Sequence, residues 1–147
     1  MEKIALFPGS FDPMTVGHLA LLKRAESLFD KIIVAIGVNT DKKALFPLDQ
    51  RIERIRIATS EMPNIEVCTY DTLTTDFCRE KGAKFILRGV RSIADFEYEK
   101  NIADINKLLC PEIETVILLA DIQYATISSS MVREMIAFGK DVSKYTV

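Results

Sequence analysis

The stretch Ile4-Ala5-Leu6-Phe7-Pro8-Gly9 leads through a short loop to Gly17-His18 and a helical pattern, and this order decides the fold. Residues 4–7 form a near-continuous apolar run, which is typical of a parallel strand buried on both faces. The predicted helix that follows has an apolar stripe along one face, formed by Leu19, Leu22, Ala25, Leu28 and Phe29. A strand followed by a helix is the repeating unit of an α/β sheet.

The same unit recurs along the rest of the chain. Further apolar runs lie at residues 32–36, 65–68, 85–87 and 116–119. Helical patterns lie at residues 52–62, 72–81 and 93–109, and a last one runs from Ser128 to Gly139, a residue type that ends helices. The predicted stripe of the fourth helix consists of Phe96, Ile102, Ile105 and Leu109. We predict an α/β fold with a single domain over residues 1–147: an open, parallel, five-stranded, Rossmann-like sheet with helices on both faces.

The composition restricts both chemistry and partners. The 147 residues are 48% hydrophobic and 27% charged with a net charge of -2, so neither a basic nucleic-acid-binding face nor a nucleic-acid partner is indicated. The single histidine, His18, excludes zinc motifs built on two histidines. The three cysteines form no C-x-x-C pair, and no apolar stretch approaches 18 residues. These features predict a reduced, cytoplasmic protein with no membrane partner.

The unusual residues follow the predicted strands. Ligands of such sheets bind outside the carboxyl ends of the strands, which makes the loops at that edge the candidate site. These loops contain the following residues: His18, Lys42, Lys43, Arg88, Arg91, Ser128, Ser129 and Ser130. No G-x-G-x-x-G or G-x-x-x-x-G-K-[ST] phosphate loop is present.

Each feature has two interpretations. His18 at the start of the first helix either donates to a phosphate or only satisfies the helix end. The three serines either grip a second anion or cap the last helix redundantly. Arg88, Arg91, Lys42 and Lys43 either bind phosphate or lie on a solvated surface. For Lys43 the solvated surface is the preferred interpretation. Asp95, Glu97, Glu99 and Asp104 are better explained as a helix surface than as metal ligands, so no metal-binding residue is predicted.

Three segments resemble known signatures. Thr15-Val16-Gly17-His18, preceded by Pro8-Gly9-Ser10-Phe11-Asp12-Pro13, is similar to the first signature of the nucleotidyltransferase superfamily, and Ile127-Ser128-Ser129-Ser130-x-x-Arg133 resembles the second. The stretch from Leu87-Arg88-Gly89-Val90-Arg91 to Asp95-Phe96-Glu97-Tyr98-Glu99 resembles the bacterial phosphopantetheine adenylyltransferase family. This resemblance extends in register over about residues 3–145.

The resemblance implies a reaction and a set of residues. ATP and 4′-phosphopantetheine would give 3′-dephospho-coenzyme A and pyrophosphate with Mg²⁺, in a homohexamer that coenzyme A inhibits. The implied ATP-binding residues are Ser10, Phe11, His18, Gly89, Val90, Arg91, Glu99, Tyr124, Ala125, Thr126, Ile127, Ser128, Ser129 and Ser130. The implied substrate-binding residues are Ser10, Lys42, Leu73, Thr74 and Arg88. The implied catalytic residues are His18, Lys42 and Arg91.

The sequence departs from the family pattern at three places. Ser10 stands where the family often has Thr, which keeps the hydroxyl, and Thr74 stands where an apolar residue is common. A further helix is expected after residues 145–147.

The phosphate nucleophile is already anionic, so we expect no protein base but a locally cationic site.

Three other functions are compatible with parts of the sequence. A near one is another member of the superfamily that acts on nicotinamide mononucleotide or an alcohol phosphate. A second is a non-catalytic nucleotide-binding module on the same sheet, which is expected to lack the cationic set. A phospho-accepting receiver domain needs a pair of Asp residues after the first strand, where Asp12 stands alone before Pro13.

Overall fold

A computed structural model describes residues 1–38 and 43–147 of the chain. Its sheet contains five strands within these residues: β1 (Ile4–Gly9), β2 (Lys31–Gly37), β3 (Ile65–Tyr70), β4 (Phe85–Val90) and β5 (Glu114–Leu119). They are all parallel and lie in the order β3-β2-β1-β4-β5. Every apolar run that predicted a strand lies inside one of them, so the predicted parallel α/β sheet is confirmed.

The helices follow the predicted alternation. They are α1 (Val16–Ala25), α2 (Leu48–Ala58), α3 (Thr74–Lys81), α4 (Ile93–Leu109) and α5 (Ser129–Ala137), with a 3-10 turn at Ile122–Tyr124. The side chains of Thr15, Ser92 and Ser128 cap α1, α4 and α5 by accepting a hydrogen bond from the backbone N–H three residues later. Gly139 has a φ of 73° just after α5, which confirms its predicted role as the residue that ends this helix.

The core has two halves on opposite faces of the sheet. Alternate residues of β1 point to different halves, so that Ala5 and Phe7 lie in one cluster and Leu6 in the other. The first cluster also contains buried residues of α1 and α2, and the second contains Phe77 and Cys78 of α3. The prediction of helices on both faces is therefore confirmed.

The predicted apolar stripe of α4 is wrong. Phe96, Ile105 and Leu109 are all exposed, and Glu99 is the one buried residue of this fully described helix. The period of the pattern is helical, but most of its apolar side faces away from the sheet, and only Ile102 of the predicted stripe is partly buried. In α1 the predicted stripe is correct up to Ala25, where the helix ends. Beyond the helix Phe29 is buried in the same core cluster, whereas Leu28 is exposed.

The strand order places the ligand edge between β1 and β4. The chain moves from β1 outward to β2 and β3, and then returns to the other side of β1 with β4. A reversal of this kind opens a crevice outside the carboxyl ends of the two central strands. The structure therefore brings together the loop after β1 and the residues at the end of β4. Within residues 1–38 and 43–147, no helix has the length and apolar character needed to cross a bilayer.

Candidate active site

A cavity of about 440 Å³, here called the main cavity, lies outside the ends of β1 and β4. Its wall contains most of the residues for which the resemblance implies a role in ATP binding: Ser10, Phe11, His18, Gly89, Arg91, Glu99, Tyr124, Ile127, Ser128, Ser129 and Ser130. Among the described residues with such a role, Val90, Ala125 and Thr126 are not part of the wall. Residues that follow β1, β4 and β5 thus converge on one site, whereas the described residues of the loops after β2 and β3 do not line the main cavity.

His18 is held by the start of its own helix. The backbone N–H of His18 donates to Thr15 Oγ1 (3.3 Å), and the backbone N–H of Thr15 donates to His18 Nδ1 (3.0 Å). This reciprocal arrangement is a capping box with a histidine in the place usually taken by Glu or Gln. Because Nδ1 accepts a hydrogen bond, the ring proton lies on Nε2. The side chain of His18 thus caps α1 and also lines the main cavity, so its donation to a phosphate stays a prediction.

The environment of His18 keeps its ring neutral. Burial, together with the nearby charges of Arg88 and Arg91, lowers the pKa of His18 from 6.5 to about 4, and burial has the largest effect. The ring also meets Phe11 edge-on, with centroids 5.3 Å apart. His18 is therefore a neutral hydrogen-bond donor near neutral pH and is poorly suited to carry a proton on and off.

Arg88 is fixed in the wall of the main cavity by three hydrogen bonds. Its Nε and Nη2 donate to the two carboxylate oxygens of Glu99 (2.8 and 2.6 Å), and its Nη1 donates to the carbonyl of Pro8 (2.6 Å). Burial lowers the pKa of Arg88, but the hydrogen bonds and charge of Glu99 outweigh it and raise the pKa overall. Arg88 is therefore a permanently charged group in a set orientation.

Arg91 connects β4 with the segment before α5. Its backbone N–H and its Nε both donate to Asp95 Oδ2 (3.0 and 3.1 Å), and its Nη1 donates to the carbonyl of Ile127 (3.4 Å). This pair is more exposed than the Arg88–Glu99 pair. Arg91 keeps its charge at the rim of the main cavity while the carboxylate of Asp95 partly offsets it.

Each of the three serines has a protein partner of its own. Ser128 Oγ accepts from the backbone N–H of Met131 (3.0 Å), and Ser130 Oγ accepts from Arg133 Nη2 (3.1 Å). Ser129 Oγ donates to the carbonyl of Pro13 (2.6 Å). One serine therefore caps α5, and another ties α5 to the loop after β1. All three lie in the wall of the main cavity, so a role in anion binding stays a prediction.

Asp12 is a structural residue that the sequence did not reveal as such. It is 5% exposed, and its Oδ2 and Oδ1 accept from the backbone N–H groups of Leu45 and Phe46, both at 2.8 Å. Arg51 spans the same two segments by donating to the carbonyls of Ser10 (2.8 Å) and Phe46 (3.0 Å). The end of the segment after β2 is thereby fixed against the loop after β1.

The predicted substrate and catalytic residue Lys42 lies outside the described residues. Its neighbour Lys43 is described and exposed, in agreement with the solvated role preferred for it.

A second cavity of about 170 Å³, here called the side cavity, adjoins the main cavity. The residues common to both walls are Pro8, Gly9, Arg88 and Glu99. Thr74 lines the side cavity, and its Oγ1 lies 3.0 Å from the hydroxyl of Tyr70. Leu73, the other residue predicted to contact the substrate arm, is 61% exposed and is not among the described residues of either wall.

Residues of α4 that line the side cavity were missed by the sequence analysis. Ile102, Ala103 and Asn106 follow Glu99 at spacings of three, four and seven, which places all four on one helical face. This spacing was the available signal. It was overlooked because Ile102 was assigned to the apolar stripe of α4.

Comparison with known proteins identifies the family. Residues 6–135 match the family model described as Cytidylyltransferase-like. The phosphopantetheine adenylyltransferase of Vesicomyosocius okutanii is 50% identical over 145 residues, covering 99% of this chain and 92% of the relative. That of Lacticaseibacillus casei is 49% identical, covering 98% of this chain and 87% of the relative. The chain belongs to the phosphopantetheine adenylyltransferase family.

Solved structures support the fold over the same length. A bifunctional NMN adenylyltransferase/ADP ribose pyrophosphatase from Francisella tularensis has a TM-score of 0.74 at 18% identity, covering 99% of this chain and 45% of that one. A second structure of that bifunctional enzyme, complexed with AMP and a manganese ion, has a TM-score of 0.70 at 17% identity, covering 99% of this chain and 44% of that one. At such low identity these likenesses concern the fold alone. The relatives that are about 50% identical to the chain, and not these structures, distinguish this phosphopantetheine adenylyltransferase family member from the three other functions.

Proposed function

We propose that the chain transfers an adenylyl group from ATP to 4′-phosphopantetheine, which gives 3′-dephospho-coenzyme A and pyrophosphate, the penultimate step of coenzyme A biosynthesis. The observation that carries this proposal is the pair of joined cavities with the Arg88 guanidinium in their common wall. One cavity has the size and polar lining for a nucleotide, and the other leads away from it as a narrower space. Family membership supports the same reaction.

The main cavity is the proposed ATP site. Its anion-binding groups are the N-terminus of α1, where Gly17 and His18 lie, and the N-terminus of α5 with its serines. We propose that ATP also contacts the remaining residues that the resemblance implies: Ser10, Phe11, Gly89, Val90, Arg91, Glu99, Tyr124, Ala125, Thr126 and Ile127. Of these, Val90, Ala125 and Thr126 are not among the described members of the wall, so their contact with ATP is supported by the resemblance alone.

Arg88 is the proposed binding group for the phosphate of 4′-phosphopantetheine, together with Ser10 and Lys42. The phosphate would then lie between the cavities, and the pantetheine arm would extend into the side cavity past Thr74. The exposed Leu73 would contact the outer end of the arm. This arrangement places the nucleophilic phosphate oxygen next to the ATP site.

The proposed mechanism depends on position and charge rather than on proton transfer. The nucleophile is already an anion, and His18 Nε2–H is a neutral donor that stabilises the charge developing on the α-phosphoryl group of ATP. Arg91 and Lys42 would share this charge. The described residues of the main cavity include three arginines (Arg88, Arg91 and Arg133) against the carboxylates of Asp95 and Glu99, so its lining is modestly cationic.

Mg²⁺ is proposed to enter bound to ATP rather than in a protein cage. Among the described residues, no group of three or more His, Cys, Asp or Glu is placed to hold a metal ion. The described acidic side chains of the main cavity, Asp95 and Glu99, are paired with Arg91 and Arg88. Mg²⁺ tolerates few protein ligands because it retains waters and binds phosphate oxygens well.

Pyrophosphate release tests the reaction. The chain should release pyrophosphate from ATP with 4′-phosphopantetheine and much more slowly with nicotinamide mononucleotide. His18→Ala should lower turnover by about 10²–10³-fold, since this is the usual effect of removing one preorganised donor. Circular dichroism should show a folded variant. Turnover like that of the wild type in His18→Ala, or binding of ATP without release of pyrophosphate by the wild type, would contradict the proposal.

Assembly, inhibition and location complete the proposal. A homohexamer is supported by the large apolar side chains that α4 leaves exposed, among them Ile93, Ile105 and Leu108. Inhibition by coenzyme A is supported by its chemistry, since it contains both an adenine nucleotide and a pantetheine arm, the two groups proposed for the joined cavities. A cytoplasmic location is supported by the three cysteines, which are all free. Light scattering, titration with coenzyme A and cell fractionation check these three points.

A further inference from the structure

Ser10 has a special place in the proposed site. It is the residue for which the resemblance implies contact with both ATP and the acceptor, and it is exposed in the wall of the main cavity. The main chain turns directly after it through Phe11, whose φ of 47° is left-handed, a conformation that bulky residues rarely adopt. A strained turn of this kind persists only where the surrounding structure holds it. The contacts that hold the main chain at Ser10 therefore bear on the site.

Arg51 of α2 holds the carbonyl of Ser10. Its Nη1 donates to that carbonyl (2.8 Å), and its Nε donates to the carbonyl of Phe46 (3.0 Å). A planar guanidinium fixes the directions of its donors, so it sets the two carbonyls relative to each other. The helix is itself anchored in the core, since Ile55, one turn after Arg51, has no exposed area. Arg51 thus connects Ser10 with a rigid element.

Asp12 closes the same connection from the other side. Its carboxylate is buried and accepts from the backbone N–H groups of Leu45 and Phe46, both at 2.8 Å. The ring of Phe46 also lies under the guanidinium of Arg54, whose Cζ is 4.6 Å from the ring centroid. Phe46, the second anchor of Arg51, is therefore fixed by contacts of its own.

We propose that Arg51 is a positioning residue that acts through Ser10. This inference rests on the proposed function. Arg51 is not among the described residues of either cavity wall, so it acts at a distance from both proposed ligands. With Arg51 in place, the main chain at Ser10 is held, and the hydroxyl of Ser10 is directed at the point where ATP and the acceptor phosphate meet.

Loss of Arg51 lets the turn after β1 relax and moves the hydroxyl of Ser10 away from that point. Other groups bind each ligand in the proposed site: Arg88 the acceptor, and the N-termini of α1 and α5 the nucleotide. The loss therefore falls on the reaction between the two bound ligands rather than on the binding of either one.

Steady-state kinetics of Arg51→Gln test this role. The variant should lower kcat by about 10- to 100-fold, because a misplacement of about 1 Å in a reacting site has effects up to this size. KM for ATP and KM for 4′-phosphopantetheine should each stay within about threefold of the wild type, since a group that acts in the transition state changes kcat and not KM.

Arg56→Gln is the matched control for these kinetics. It makes the same change at an exposed position of the same helix and should alter neither kcat nor KM. A kcat like that of the wild type in Arg51→Gln, or a rise in either KM with an unchanged kcat, would overturn the proposal.

A double-mutant cycle shows whether Arg51 acts through the hydroxyl of Ser10. In a Ser10→Ala background, Arg51→Gln should change kcat by less than about twofold, because the group that it positions is gone. Its effect on the midpoint of chemical denaturation should be the same in both backgrounds, since the carbonyl that Arg51 holds is still present. A full loss of kcat from Arg51→Gln in the Ser10→Ala background would leave Arg51 a purely structural residue and overturn the proposal.

Arg51→Lys covers the case in which Arg51→Gln does not fold. Lysine keeps the charge but has one nitrogen on a flexible stem, which does not fix two carbonyls as a planar guanidinium does. Circular dichroism should show a folded variant, and its kcat should still fall by about 3- to 10-fold, the effect of a smaller misplacement. A wild-type kcat in Arg51→Lys would contradict the proposal. Failure of the proposed function shows separately, as a wild-type chain that releases no pyrophosphate with 4′-phosphopantetheine.

Discussion

The helices α1 and α4 serve the same site by different means. α1 has ten residues and buries Leu21, Leu22 and Ala25 against the sheet. α4 has seventeen residues, all described, and buries only Glu99. Each begins beside the main cavity with a serine or threonine cap, Thr15 for α1 and Ser92 for α4.

The difference separates two ways of fixing a functional side chain. α1 is held along its length by the core, and His18 is placed by the rigid helix on which it lies. The side of α4 that faces the sheet supplies the carboxylate of Glu99 and the lining of the side cavity, while its outer side keeps Ile105 and Leu108 exposed. The apolar surface of α4 is thus available to other subunits, in agreement with the proposed homohexamer.

The largest expected effect is on the core side of α1. Leu22→Ala removes a side chain with no exposed area and should lower the free energy of unfolding by about 2–5 kcal/mol. Leu108→Ala, at a position 83% exposed, should change it by less than about 0.5 kcal/mol in an isolated subunit. Chemical denaturation at several protein concentrations measures both values. Equal losses of stability in the two variants would contradict the difference between α1 and α4. A loss for Leu108→Ala that depends on protein concentration would place Leu108 in an interface between subunits.

The second effect concerns the burial of His18 in the first turn of α1. The pKa of His18 is lowered from 6.5 to about 4 in the folded chain. Between these pH values the unfolded chain binds a proton at His18 and the folded chain does not. The stability from the neutral ring is complete above pH 6.5 and is lost as the pH falls toward 4. A shift of this size corresponds to about 3 kcal/mol. Relative to His18→Gln, the wild type should lose about that much between pH 6.5 and 4, which denaturation at each pH measures.

Parallel stability curves for the wild type and His18→Gln over this pH range would show that His18 titrates as an ordinary exposed histidine. The burial that distinguishes α1 from α4 would then not extend to its first turn.

The smallest expected effect compares the two caps. Thr15 is 1% exposed and takes part in the reciprocal capping box with His18, whereas Ser92 receives one hydrogen bond from Asp95. Thr15→Ala should destabilise the fold by about 2 kcal/mol and Ser92→Ala by about 0.5–1 kcal/mol, the upper and lower parts of the usual range. Thermal unfolding of both variants checks the order. A larger loss at Ser92 would mean that α4 depends on its first turn more than α1 does.

The sheet and the ligand edge could be predicted because both depend on local patterns. Continuous apolar runs mark buried parallel strands, and parallel strands place their carboxyl ends at one edge. His18 was found because it is the only histidine and follows the first of these strands. The pattern of α4 predicted a helix correctly, but apolar periodicity does not say which surface covers the apolar side.

The partners of the site residues could not be predicted, since they are distant in sequence. Asp12 and Arg133 are 121 residues apart and are joined by a hydrogen bond from Arg133 Nη1 to the carbonyl of Asp12 (2.9 Å). The pairing of Arg88 with Glu99 depends on where α4 begins relative to β4. The side cavity depends on the packing of α3 and α4 against β1 and β4. Such contacts follow from the assembled fold and leave no periodic signal in the chain.

The two cavities share few lining residues, so each could be changed separately by protein engineering. Only Pro8, Gly9, Arg88 and Glu99 among the described residues line both cavities. Thr74, Ile102 and Asn106 line the side cavity and are not among the described residues of the main cavity, the proposed ATP site. Libraries restricted to these positions would vary the acceptor arm while leaving the nucleotide chemistry unchanged, and the four shared residues mark the limit of that freedom.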